Sequence, residues 1–311
     1  MKKLPVLILV LLSCLYVRGQ DSIRTGRDKF SNRKLVIGGL STAGYAGSLI
    51  VLNEAWYKDY PKSKLHSFND AKEWLQVDKV GHGWTAYNTS RATTAMWQWA
   101  GYRDKERNKA IWLGSLSGFT YLTVIELLDG HSARWGWSWP DMGANLFGTG
   151  LFAGQAFLWD DQRIQFKFSA HKKNYSPSLS ERANKLYGDS YPERILKDYN
   201  GQTYWLSFTL NSFFPESNFP AWLSFSVGYG AEGLLGGFSN KAYDESGNLV
   251  FDGSDIPRQR QWYFSPDIDL TKIKTRSRLL RTVLATFNSL KIPAPTLELT
   301  GKKIRFKALY F

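Results

Sequence analysis

The hydrophobic pattern of the chain changes character past its middle. Between residues 35 and 159, long runs of apolar and small residues carry few charges, as in helices that pack against one another. From residue 203 onward, apolar residues come in short segments rich in aromatic and β-branched side chains, which is typical of strands. The pattern predicts an α+β fold, with an N-terminal membrane-associated helical bundle of about four helices followed by a C-terminal antiparallel β-rich region.

Two apolar segments predict the first helices. Residues 35–52 form a run of eighteen without a charge, rich in small side chains. A bilayer span takes about 20 residues, so this run is either a membrane helix or the central helix of a buried bundle. Residues 67–70 resemble a capping box and predict a helix that carries Trp74, Asp78 and His82 four apart on one face.

Two further helices follow. Residues 110–125 are uncharged and contain two glycines four positions apart, a spacing that favours close helix packing. Ser138, with Pro140 two residues later and Asp141 three residues later, predicts a helix N-terminus. The last helix of the bundle is expected to run from residue 140 to residue 159.

The C-terminal region is predicted to form a small antiparallel sheet. Four strands are expected, at residues 204–210, 222–229, 261–265 and 303–311. A membrane barrel needs about eight strands, so four cannot close one, although the last strand ends on Phe311 as many outer-membrane strands do. If extended, one further segment would place four cations on one side: Lys272, Lys274, Arg276 and Arg278.

The N-terminus has the pattern of a secretory signal, with Lys2 and Lys3 before an apolar run. We expect the mature chain to begin at Gln20; the alternative is a lipoprotein box in which Cys14 is acylated. The predicted divisions are residues 1–19 as signal peptide, 20–66 as lead-in and first apolar helix, 67–160 as helical domain, 161–201 as connection and 202–311 as the β-rich region.

Charge and aromatic content narrow the location and the partners. The formal net charge is +13, and export excludes nucleic acid as the partner of those cations. Anionic membrane lipid or envelope glycan is expected instead, unless the basic face is simply solvated; protein partners are not identified. Nine of the thirteen Trp lie between Trp74 and Trp159, which favours an interfacial position. The predicted location is the cell envelope, exported, in the outer membrane or periplasm.

Three of the predicted helices each carry a polar pair near one end. The pairs are Asp78 with His82, Glu126 with Asp129, and Asp141 with Asn145. Facing side chains of this kind build the sites of helical bundles, and a carboxylate beside an imidazole makes the imidazole a better base or ligand. The alternative is a buried hydrogen-bond network that fixes helix register without chemistry.

The chemistry of this predicted site stays open. All six residues are candidate ligand-binding residues, and whether the protein is an enzyme is undecided. Imidazole and carboxylates suit zinc, iron or manganese, but no strong metal-binding motif occurs, so neither a metal nor a cofactor is expected. If there is catalysis, the candidate residues are Asp78, His82, Glu126 and Asp141.

The same residues, in order, resemble a known family pattern. Asp78-Lys-x-x-His82, Glu126-x-x-Asp129 and Asp141-x-x-x-Asn145-x-x-Gly148 are similar to the core of the YfiM-like family of predicted periplasmic lipoproteins. They resemble the VanZ-like membrane proteins more distantly. The resemblance covers roughly residues 72–157. It implies a helical envelope domain of undefined activity, with some VanZ-like members linked to glycopeptide resistance.

The sequence therefore predicts an exported, membrane-associated envelope protein with a polar site in a helical bundle. The hypothesis for that site is binding of a lipid or glycolipid head group. The alternative is a non-catalytic structural or assembly component of the outer membrane.

Overall fold

The computed structural model describes residues 27–53, residue 57 and residues 60–311, with side chains from residue 32 onward. The predicted signal peptide, the expected mature start at Gln20 and the alternative lipidation site at Cys14 lie outside the described residues.

The chain divides into two compact units. The helical unit contains the described part of Met1–Asp70 together with His82–Gln162. The sheet unit contains Ala71–Gly81 together with Arg163–Phe311. The helices therefore precede an antiparallel sheet, and the predicted α+β class is confirmed.

Four long helices account for most of the N-terminal half. They are α1 (Arg27–Leu52), α2 (Val77–Trp99), α3 (Arg107–Gly130) and α4 (Trp139–Trp159). The described residues thus contain the several helices that were predicted, but α1 starts earlier than its uncharged run, so residues 27–34 are helical. The first residues of α2, through Gly81, are grouped with the sheet unit.

Helix α1 contacts both α2 and α3 through aromatic and hydroxyl side chains. The ring of Tyr45 stacks on that of Tyr121 with centroids 4.7 Å apart, and its hydroxyl lies 3.0 Å from Thr93 Oγ1. Ile37 and Met96 form a small buried apolar cluster nearby. These contacts anchor one side of α1, while most of its other apolar residues remain exposed.

Two stretches, Asn32–Leu52 and Asp104–Gly130, are long and apolar enough to cross a membrane by length and composition. Buried core helices and signal sequences can have the same composition. Only a small part of the first stretch is buried, compared with about a third of the second. In the described part of the chain, residues 35–52 are therefore not the central helix of a buried bundle, and the membrane helix stays a prediction.

The start of α4 follows from local capping, as predicted. Ser138 is the N-cap residue, and its Oγ accepts a hydrogen bond from the Asp141 amide at 3.0 Å. Pro140 in the first turn loses nothing there, because its position needs no amide donor. The cap fixes the rotation of α4 and places Asp141 and Asn145 on its buried side.

The predicted capping box at residues 67–70 does not start α2. Residues 74–76 have φ angles of 47°, 49° and 66°, so they form a left-handed turn, and α2 begins at Val77. Partners distant in sequence hold the turn. The carbonyl oxygen of Gly237 accepts a hydrogen bond from the Trp74 amide at 2.8 Å. The Tyr229 hydroxyl donates to the Leu75 carbonyl oxygen, and Arg260 donates to Gln76 Oε1 at 2.7 Å. The prediction that Trp74 shares a helix face with His82 is therefore wrong.

The sheet unit is built on one six-stranded antiparallel sheet. Its strands are β1 (Ile164–Ala170), β2 (Gln202–Thr209), β3 (Leu223–Glu232), β6 (Gln259–Ile268), β7 (Ala294–Thr300) and β8 (Lys303–Tyr310), in that spatial order. A separate two-stranded sheet pairs β4 (Lys241–Tyr243) with β5 (Leu249–Asp252). The connecting helices are α5 (Pro177–Tyr187), α6 (Tyr191–Lys197), α7 (Leu210–Phe213) and α8 (Arg278–Phe287).

The sheet unit corrects two details of the prediction. Residues 161–201 are more than a connection, because they contain edge strand β1 and helices α5 and α6. The basic segment is not extended: Lys272 ends a short 3₁₀ turn and Arg278 begins α8, with Ser277 as its N-cap. The four cations therefore do not line one side of a strand.

Close packing of α3 on α2 requires glycine, in agreement with the predicted spacing. A Cβ atom added at Gly114 would lie 2.0 Å from Thr94 Oγ1 and 2.5 Å from the Thr94 amide nitrogen. One added at Gly118 would lie 2.8 Å from Ser90 Oγ. The two helix backbones therefore approach at these glycines.

We expect Gly114→Ala to destabilise the helical unit by about 1–3 kcal/mol, because the new methyl group forces α3 away from α2. The matched control is Gly150→Ala on α4, where nothing lies within 4 Å of the added atom. That control should gain up to about 1 kcal/mol from helix propensity. Urea unfolding of the two variants measures the difference, and equal stability would contradict the proposed packing.

Candidate functional site

Three helices bring four of the predicted site residues together. His82 on α2 lies with Nδ1 3.6 Å from Glu126 Oε1 on α3 and with Nε2 3.9 Å from Asp141 Oδ1 on α4. The same Nδ1 lies 3.3 Å from Asn145 Oδ1. We call these four residues the polar cluster. The His82 side chain is 24% exposed while that of Glu126 is 1% exposed, so the imidazole is the accessible member.

The junction of α3 and α4 fixes the acidic side of the polar cluster. The Ser138 amide donates to Glu126 Oε2 at 3.4 Å, and the Ser138 hydroxyl donates to Asp70 Oδ1 at 2.6 Å. One serine thus links the end of α3, the start of α4 and the segment before α2. The sequence identified Ser138 as a cap but gave no sign of its contact with Asp70.

A glycine lets α4 approach α2 beside the polar cluster. A Cβ atom added at Gly148 would lie 2.0 Å from the carbonyl oxygen of Gly83. Gly83 is the residue after His82, and Gly148 lies three residues after Asn145. The close approach of the two backbones therefore brings the imidazole within reach of the α4 side chains.

Burial controls the protonation of the acids. Desolvation raises the pKa of Glu126 from its usual 4.5 to about 8; the nearby His82 opposes this rise, and Asp141 adds to it. Desolvation likewise raises the pKa of Asp129 to about 6. Removing a carboxylate from water penalises its charged form, so both acids hold a proton more tightly than in an unfolded chain.

Asp129 lies beside the polar cluster with a partner of its own. The Tyr57 hydroxyl donates to Asp129 Oδ1 at 2.8 Å. The Tyr57 ring packs edge-on against Trp135, with ring centroids 5.6 Å apart. Burial raises the pKa of Tyr57 above its ordinary value, with the Asp129 charge adding to the rise, so the phenol stays neutral as a donor. The sequence pattern missed Tyr57 because it lies outside the predicted helices.

Asp78 belongs to the sheet unit, and His131 follows the end of α3. Asp78 is in the first turn of α2, in the segment grouped with the sheet unit, and its carboxylate contacts Lys79 Nζ at 2.8 Å. His131 follows α3 at the exposed surface, with its Nδ1 2.7 Å from the Leu127 carbonyl oxygen. The helical unit therefore brings together His82, Glu126, Asp141 and Asn145 from the predicted set, with Asp129 next to them.

The polar cluster offers groups that bind cations. Glu126 Oε1 and Asn145 Nδ2 are buried and have no hydrogen-bond partner among the described residues, although an unmade bond of this kind costs about 1–3 kcal/mol. His82, Glu126 and Asp141 can each contribute one ligand atom, and these three atoms lie within 4.8 Å of one another. Because the cluster contains two carboxylates and no Lys or Arg, it favours a positively charged group over an anion.

A family comparison covers this part of the chain. Residues 67–155 match the family model described as predicted periplasmic lipoprotein (DUF2279). The matched segment contains the whole polar cluster together with Asp78 and Asp129, and it ends before β1. The protein is therefore an exported protein of the cell envelope. No curated protein and no solved structure matches the chain.

We expect Glu126 to make stability depend on pH. Its folded-state pKa is raised, so the folded chain binds the proton more tightly, and stability should fall as pH rises from about 4.5 through about 8. Glu126→Gln should remove most of this loss, on the order of 4 kcal/mol by pH 8, and should leave the variant at least as stable as the native chain at that pH.

Urea unfolding at pH 5, 7 and 8.5 measures this effect. The control is Glu181→Gln, since Glu181 is exposed and pairs with Lys185 at the surface. An unchanged pH slope in Glu126→Gln would show that Glu126 is not the group responsible.

Proposed function

We propose that this is a membrane-associated envelope protein whose polar cluster binds the ammonium group of an amine-bearing lipid or glycolipid head group. The observation that carries the proposal is the accessible His82 imidazole held between two buried carboxylates. An ammonium group has three donors, and it could pair with Glu126 Oε1, for which the described part of the chain supplies no hydrogen-bond partner. Binding would thus offset the cost of burying that oxygen.

The charge of the polar cluster favours the amine end of a head group over its phosphate. Glu126 and Asp141 are carboxylates, and Asp129 lies beside them. A phosphate would bring further negative charge to groups whose charged forms burial already disfavours. An ammonium group would instead stabilise the ionised acids and lower their pKa.

A divalent metal ion is the second candidate ligand, although the sequence contains no metal-binding motif. The supporting observation is that His82, Glu126 and Asp141 converge from three helices with their ligand atoms within 4.8 Å. One imidazole and two carboxylates suit zinc, manganese or iron. In that case His82 and the two acids would hold the ion, and the ion would supply Lewis acidity.

A structural role is the alternative to ligand binding. The polar cluster would then fix the register of α2, α3 and α4 in an assembly component of the outer membrane.

The narrower relationships to YfiM-like and VanZ-like proteins, and the outer membrane as the location, are also part of the proposal. The residue pattern of the matched segment supports the two relationships.

Lipid binding tests the proposal most directly. We expect the purified full chain to bind nanodiscs that contain phosphatidylethanolamine at least tenfold more tightly than nanodiscs of phosphatidylcholine alone. In phosphatidylcholine, three methyl groups replace the N–H donors of the ammonium group. Asp141→Asn and His82→Ala should abolish the preference while keeping the helical circular dichroism. The control is His66→Ala, an exposed histidine in the same unit.

Three outcomes separate the interpretations of the polar cluster. Equal binding to both kinds of nanodisc would reject the ammonium ligand. Elemental analysis that finds a stoichiometric metal in the native protein, lost in Asp141→Asn, would replace the ammonium by a metal. Loss of folded protein in every cluster variant would support the structural role.

We also propose that signal cleavage leaves Gln20 as the first residue of the mature protein. Mass spectrometry of the protein isolated from cell envelopes should then give a chain without Cys14 and without acyl groups. A chain that begins at Cys14 and carries acyl groups would contradict this assignment. It would instead agree with the lipoprotein description of the matched family.

A further inference from the structure

The six-stranded sheet has the reverse of the side-chain pattern expected in water. An antiparallel sheet of a soluble domain buries apolar residues and exposes polar ones. Here the buried positions of β6 include Gln261, Ser265 and Asp267, while its alternate residues Trp262 and Phe264 are each 49% exposed. In β7, Glu298 is buried and its neighbour Leu297 is exposed.

The strand register joins the residues on the side of Trp262 and Phe264 into continuous rows, which are buried at Phe166 and Tyr204 and mostly exposed from β3 to β8. One row crosses all six strands: Phe166, Leu206, Val227, Phe264, Leu297 and Phe306. The parallel row two residues away contains Tyr204, Tyr229, Trp262, Leu299 and Ile304. Neither row contains a charged residue, and toward β8 most of their side chains are exposed. We call these rows the apolar face.

The opposite side of the sheet contains buried charges that form ion pairs. Lys167 Nζ lies 2.9 Å from Asp267 Oδ2, and both side chains are fully buried. Lys307 Nζ lies 2.6 Å from the buried Glu298. A shift of any strand by one residue would bury apolar side chains on this side of the sheet but would separate these charged groups from their partners. The register that exposes the apolar face is therefore fixed.

Exposure of the apolar face to water is costly, at about 25 cal/mol for each Å² of apolar surface. Contiguous exposed apolar patches of this kind mark interaction sites. Alternation of outward apolar and inward polar residues is the pattern of strands that contact lipid. The face therefore needs a covering partner, and its lack of charge suits the hydrocarbon part of a bilayer.

Helix α8 in the same unit indicates the charge of that partner. Leu279, Val283 and Phe287 recur four residues apart on one side of the helix and are exposed. Arg278 and Arg281 are exposed on the same helix, and three further cations precede it within six residues. A short helix with an exposed apolar stripe and flanking cations is typical of elements that lie at the surface of anionic membranes.

We propose that the apolar face and α8 form a surface of the sheet unit that binds an anionic lipid bilayer. This goes beyond the proposed function, which concerns the polar cluster of the helical unit. Charge favours a bilayer over a second copy of the chain. From residue 256 to the C-terminus there are twelve Lys and Arg against three Asp and Glu, so two copies would repel each other while anionic lipid would attract both.

A local probe tests the surface without relying on any other membrane contact of the chain. Cys14 is the only cysteine, so the full chain with Cys14→Ser accepts a single label. A polarity-sensitive fluorophore on Phe264→Cys should shift to the blue when phosphatidylglycerol vesicles are added. The matched control is Val250→Cys on the small two-stranded sheet, which is 62% exposed and should show no shift.

Charge and apolar variants complete the test. Flotation with vesicles of phosphatidylcholine and phosphatidylglycerol should show at least a tenfold loss of binding for Phe264→Asp combined with Phe306→Asp. Arg278→Glu combined with Arg281→Glu should lower binding to anionic vesicles only. Lys185→Glu, at an exposed lysine of α5, is the charge control. Because neither phosphatidylcholine nor phosphatidylglycerol offers ammonium N–H donors, binding to these vesicles tests the apolar face apart from the proposed function.

Two results would overturn the proposal. One is a label at position 264 that stays in a polar environment while the chain is bound to vesicles. The other is a label that is already shifted to the blue in a lipid-free dimer, and whose shift disappears together with the dimer in Phe306→Asp. The second result would assign the apolar face to a second copy of the chain.

Discussion

The desolvation of ionisable side chains between helices is the constraint on which the helical unit depends. Glu126 is buried at the end of α3, where its charged form is strongly disfavoured, and the fold tolerates it because helix ends supply donors. The Ser138 amide is one such donor, and the His82 imidazole faces the other oxygen. The same helix end therefore provides both the fold and a place for ligand chemistry.

Glycines make this arrangement possible by setting the distances between helix axes. At Gly114 the backbones of α3 and α2 meet, and at Gly148 α4 meets the carbonyl after His82. Any larger residue at these positions would separate the helices by more than the reach of the side chains in the polar cluster. Packing and site geometry are thus determined by the same few residues.

Local signals in the sequence were sufficient for much of the fold. The cap at Ser138 and the glycine spacing of α3 predicted real contacts, because both depend on residues close together in the chain. The left-handed turn at residues 74–76 could not be predicted, since its partners Tyr229 and Gly237 come more than 150 positions later.

The candidate site was predictable as a set of residue pairs but not as a geometry. Pairs one turn apart on a helix identify a shared face, yet the choice among them depends on how helices meet. Asp129 points to Tyr57 and not to His82, which only the tertiary structure shows. In the sheet, β1 was missed because Lys167 lies between two further polar residues, Gln165 and Ser169, and its buried partner Asp267 is distant in sequence.

The left-handed turn before α2 has a consequence for the mutability of the chain. Three successive side-chain-bearing residues with positive φ cost about 1–2 kcal/mol each relative to glycine, which adopts this conformation freely. A laboratory evolution experiment that selects only for heat resistance should therefore enrich glycine at Leu75. Persistence of leucine through such a selection would indicate that the side chain itself is worth more than the conformational penalty it carries.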